Sequence, residues 1–147
     1  MKIRIELKTK MTNDNLHRIP SLNVVKKAVD TYSVGFKGVV VLHDSLYDYK
    51  YDTRSAMYST VDSRRVVGNI QSSEIMGEKL FLIVDVNGGF LQDKSCICFF
   101  RSQMQAIPGS NSATFDDLNI FVIDLIMVGD NEKVDEQYLS EVVVLDN

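Results

Sequence analysis

The sequence predicts an α+β domain, mostly antiparallel β-sheet or barrel with one clear helix at about residues 21–32. Three observations carry this. Residues 2–8 alternate, with Ile3, Ile5 and Leu7 on one face and Lys2, Arg4, Glu6 and Lys8 on the other, the period of a half-buried strand. Leu22, Val25, Ala28, Val29 and Tyr32 recur at spacings of three and four, the apolar stripe of a helix. Beyond residue 37 the chain is a series of short apolar runs punctuated by glycine and asparagine, as in strands joined by turns.

Taken in order, the opening strand leads into a polar turn at 11–15. Pro20 or Ser21 can open the helix, proline at the first helical position and serine as a cap. Gly35 and Gly38 bracket its exit, and residues 37–42 read as a buried strand. Residues 44–62 show no clear period and hold Tyr47, Tyr49, Tyr51 and Tyr58. A loop this long in a compact domain is usually functional or disordered, and the tyrosines, with broad contact area and a polar tip, favour the first. These four side chains are the expected binding surface. Residues 65–71 and 79–86 form a hairpin turning at Gly77, and Asn87, Gly88 and Gly89 break the chain after it. Residues 95–101 make a further strand, 108–112 a loop, 118–128 a central buried strand and 141–145 a last strand that can pair with the first. Asp124, in the middle of the apolar run, needs a partner or an exposed edge. The acidic stretch 132–141 reads as a solvated helix face.

The 147 residues make a single domain, 1–147, without internal repeat or linker. Hydrophobic residues at 45% suffice for a core, and a charged fraction of 24% gives no reason for disorder. A net charge of −4 argues against nucleic acid as a partner, since such binding runs on phosphate neutralisation. No apolar run approaches the roughly 20 residues of a membrane span, and the N-terminus lacks the apolar core of a signal peptide, so synthesis in a cytoplasm is expected. Cys96 and Cys98 fall on one face of a strand, a spacing poor for a disulfide, and no cluster has metal-ligand spacing. Both read as ordinary thiols, and no cofactor is expected.

The order of the blocks resembles the prohead (capsid maturation) proteases of tailed phages, which share a fold with the herpesvirus assemblins. The blocks are Asn13 to Pro20, the helix, Val39 to Leu42 followed by His43, then Val67-Gly68, Gly77 to Phe81, and Ile123-Asp124-Leu125-Ile126. The resemblance spans residues 2 to about 130. It implies a prohead-protease-like fold with His43 at the catalytic histidine and Arg101 near the oxyanion site. The family's serine stands two residues before that arginine, and here the position is Phe99. An alternative register places Ser110 or Ser112 at the nucleophile and loses the arginine.

A serine nucleophile needs a base within about 2.6–3.2 Å and donors for the oxyanion. His43 is the candidate base; apart from the resemblance, a strand-end histidine is more often a polar residue held by a carbonyl. Asp44 or Asp124 could orient its ring, although Asp44 reads better as a turn residue and Asp124 as a buried structural carboxylate. Ser110 and Ser112 are catalytic candidates only in an active enzyme, because serine in a Pro-Gly loop is ordinarily a turn former. The resemblance implies a phage virion protein, catalytically inactive, that binds capsid or other virion proteins within an oligomeric assembly. The alternatives are an active serine-type capsid maturation endopeptidase and a small phage-encoded interaction or inhibitor protein.

Overall fold

The computed structural model describes residues 1–10, 20–35, 38–52, 61–87, 95–106 and 113–145. In chain order the elements are β1 (Lys2–Leu7), α1 (Leu22–Gly35), β2 (Val39–His43), α2 (Leu46–Asp52), β3 (Val66–Met76), β4 (Lys79–Val86), β5 (Cys96–Ala106), β6 (Ala113–Met127) and β7 (Val142–Leu145). Single 3-10 turns lie at Ser63–Arg65 and Glu136–Tyr138.

The strands close into a six-stranded barrel in the order β1-β4-β3-β2-β6-β5 and back to β1. The hairpin β3–β4 turns at Gly77, whose φ of +63° suits glycine because a Cβ is disfavoured there. Val39 to Val41 of β2 pair antiparallel with β3, with an irregularity after Val40. The β2–β6 pair is parallel, with Val41 beside Asp124 and His43 beside Ile126. β5 and β6 are antiparallel, with Phe99 opposite Asp124 and Arg101 opposite Val122. β7 pairs antiparallel with residues 2–5 of β1, as the terminal alternation allowed.

The predicted α+β class holds, with strand dominating and most strand pairs antiparallel as expected; β2–β6 and the short β1–β5 contact are the parallel ones. Alternation of residue types carries no information on strand direction. The better signal was the absence of alternation. Val40 and Val41 are both buried, as are Val122 to Met127, and strands buried on both faces are typical of parallel pairing.

One face of the strands fills the barrel. Ile3, Ile5 and Leu7 meet Leu80, Leu82, Val84, Ile123, Leu125, Cys98 and Phe100 in one cluster. Helix α1 adds Val25, Ala28, Val29 and Tyr32 to the same core, lying against β6, β3 and β4. Ser21 caps it, its Oγ accepting from the Val24 N–H at 3.3 Å. The Tyr32 hydroxyl donates to the Val39 carbonyl at 2.6 Å, pinning the helix to the start of β2. α1 runs to Gly35, a turn beyond the stripe that predicts it.

Two stretches differ from expectation. Within 44–62 the chain forms α2, whose first turn is capped by Ser45: its Oγ accepts from the Asp48 N–H at 3.0 Å. Seven residues are too few for an apolar stripe to declare itself. The stretch 132–141 is irregular backbone, the 3-10 turn Glu136–Tyr138 and the approach to β7 rather than a helix. There the Glu132 carboxylate turns inward and accepts from the backbone N–H groups of Leu46, Tyr47 and Gly129.

Candidate functional site

Alternation along β2, β6 and β5 puts Val41, His43, Val122, Asp124, Ile126, Ile97, Phe99 and Arg101 on the face opposite the barrel core. That face is covered in turn. Tyr49 of α2, Ile97 and Ile126 form a second small cluster, with Leu46, Phe99, Val128, Val134 and Leu139 packed around it.

Inside this outer layer lies a charged group. The Asp124 side chain is fully buried, and those of His43 and Arg101 are each 4% exposed. The Arg101 guanidinium grips the carboxylate side-on, Nε donating to Oδ2 at 2.8 Å and Nη2 to Oδ1 at 2.9 Å. His43 Nε2 lies 2.7 Å from Oδ1. A carboxylate held by a guanidinium is an acceptor only, so Nε2 carries the proton and donates. The Tyr49 ring stands edge-on to the imidazole, with centroids 5.1 Å apart. Side chains from β2 and β5 therefore converge on one carboxylate of β6.

This arrangement supplies half of a nucleophile-activating unit: an imidazole oriented by a carboxylate. Asp124 engages Nε2, so an attacking hydroxyl or thiol would have to address Nδ1. The thiols cannot do so. Cys98 is opposite Leu125 and Cys96 is opposite Met127, both on the core face, a sheet's thickness from His43. Burial pushes the Cys96 thiol up to about 12 and holds Cys98 well above the ordinary thiol range, so neither offers a thiolate near neutral pH. Phe99, half-buried on the imidazole side, has no atom able to attack.

His43 and Asp124 thus come together, and Arg101 joins them although its sequence position reads as a strand-end charge. Strand β5 continues to Ala106, which puts Arg101 mid-strand. Asp44 is exposed and takes no part in this group. Among the tyrosines expected to form a contact surface, Tyr47 is 72% exposed, whereas Tyr49 is only 7% exposed and turned towards His43. Tyr51 falls within α2, with its side chain outside the described set. Tyr58, Ser110 and Ser112 lie outside the described residues. Glu132 escaped the sequence reading, because an acidic residue in a polar stretch gives no sign of which amides it caps.

Among the described residues no group of three His, Cys, Asp or Glu side chains is placed to hold a metal ion, and no helix is long and apolar enough to cross a membrane. No protein-family model, curated protein or solved structure matches the chain.

Proposed function

We propose that this chain is a tailed-phage virion protein on a prohead-protease-like scaffold, without peptidase activity, that acts by binding capsid or neighbouring virion proteins. The observation that carries the reading is the placement of Phe99. The resemblance assigns the base to His43, the arginine to Arg101 and the nucleophile to the position of Phe99. These three residues project from the same face of β2 and β5, on either side of β6 and Asp124. At roughly 4.8 Å per strand, β2 and β5 are about 10 Å apart, a distance that long side chains can bridge. A protease reduced in this way keeps its scaffold and its imidazole and lacks the attacking atom.

Two further observations support a binding role. With α2 docked, His43 is 3% exposed, so a peptide bond has no access to its ring in this state. Tyr47 presents its ring to solvent on α2, where an aromatic side chain with a polar tip suits a protein contact. The protein would be made in the host cytoplasm and carried in the virion as part of an oligomeric assembly.

The test is incubation of the wild type and a His43→Ala variant with the capsid and scaffold proteins of the same phage. The expected result is no cleavage by either and co-sedimentation of both with assembled shells. Specific cleavage by the wild type that disappears in His43→Ala would establish an endopeptidase instead. Absence from purified virions, with a partner recovered from infected-cell extract, would favour a small interaction or inhibitor protein.

A further inference from the structure

We propose that α2 is a hinged cover over the buried imidazole, with the Glu132 carboxylate as the catch that holds it shut. The device is independent of the binding role proposed above.

The helix is too short to stand alone. Seven residues fall well below the roughly 12–15 that an isolated helix needs in water, so α2 exists only while its ends and its docked face are held. The docked face is narrow. Tyr49 is its buried residue among those whose side chains are described, Leu46 is half-buried beside it, and Tyr47 faces solvent. By contrast α1, twice as long, buries Val25, Ala28, Val29 and Tyr32.

The N-terminal end is held from outside the helix. Glu132 Oε1 accepts from the Leu46 N–H and Oε2 from the Tyr47 N–H, each at 3.0 Å. The same Oε1 accepts from the Gly129 N–H at 2.9 Å, and the Glu132 N–H donates to the Gly129 carbonyl at 2.9 Å. One carboxylate therefore ties the first turn of α2 to the turn that leaves β6, two residues after the end of the strand carrying Asp124. Hydrogen bonds from backbone N–H groups to a charged acceptor are among the stronger ones, and these sit at a helix end where the amides have no partner within the helix. What the catch holds in place is the Tyr49 ring, edge-on to His43. Release of Glu132 frees the first turn, and among the described side chains Tyr49, with the half-buried Leu46, then keeps the helix docked.

The experiment reads the accessibility of His43 directly. A His17→Ala background leaves His43 as the sole histidine. In that background, diethylpyrocarbonate modification of the imidazole is timed for Glu132, Glu132→Gln and Glu132→Ala. The expected order of rates is Glu132 slowest, Gln intermediate and Ala fastest, with Ala faster by about tenfold or more while far-UV circular dichroism stays unchanged. Equal rates in all three would overturn the proposal. Should Glu132→Ala fail to fold, native-state hydrogen exchange of the wild type decides. The amides of Leu46, Tyr47 and Tyr49 should open at lower denaturant than those of Val122 and Ile123. Opening of both sets together, in a single global event, would overturn it equally.

Discussion

Asp124 joins two distant residues, His43 and Arg101, into one unit, and its removal should be felt throughout the fold. Asp124→Asn removes the charge that the buried Arg101 guanidinium grips, and losing one partner of a buried pair costs about 3–5 kcal/mol. Urea denaturation measures it; a loss below about 1 kcal/mol would mean that water reaches the guanidinium. Phe99→Ser should lower stability and confer no reactivity, because Asp124 engages the ring nitrogen that a serine would normally address. Labelling of that variant by a fluorophosphonate, dependent on His43, would contradict this. The need of Asp124 for a partner was legible, since a carboxylate amid Ile123, Leu125 and Ile126 cannot stay bare. Of its partners His43 was foreseen as one of two options, but Arg101 was not, because that pairing depends on which strands lie side by side. Arg101 in particular was misplaced by a strand end set five residues too early.

At the scale of elements, the hairpin β3–β4 offers a controlled comparison between two glycines. At Gly77 the space is open and φ is +63°, so Gly77→Ala should cost only the conformational term, about 1 kcal/mol. At Gly68 an added Cβ would fall 2.4 Å from the Asp85 carbonyl oxygen of the paired strand. Gly68→Ala must push β3 off β4 and should cost more, roughly 1–3 kcal/mol or above. Thermal unfolding of the two variants side by side tests the order. The hairpin itself was plain from two apolar runs around a glycine, and α1 from its stripe. The parallel pairing of β2 with β6 and the helix α2 were harder to see, the first because residue alternation carries no strand direction and only the unbroken apolar runs hint at it, the second because two turns of helix carry too few residues for a period.

Across the whole molecule the buried acids set the response to alkali. Unfolded, Tyr32 and the two cysteines lose their protons at their ordinary values, 10.0 and 9.0. Folded, burial pushes Tyr32 and Cys96 up to about 12 and Cys98 well above its usual range. Between pH 9 and 12 the unfolded chain therefore binds fewer protons, and stability falls as pH rises through that window, with nothing lost below it. Urea midpoints at pH 8, 9.5 and 11 should show this decline, and a Cys96→Ala, Cys98→Ala variant should show a shallower one. The same burial predicts that neither thiol reacts with an aromatic disulfide at pH 8 until the protein is unfolded; prompt native reaction would place them elsewhere. The barrel, meanwhile, is sewn unevenly. β1 joins β4 along its whole length, but among the described residues it meets β5 at the single pair Leu7–Cys98, helped by the Lys8 N–H on the Cys98 carbonyl. Like a garment closed by one button over a tucked flap, here Ser140 on Cys96 and Cys98 and Glu141 on Glu6, it should part there first, so that solvent enters between the first and fifth strands before any other join gives way.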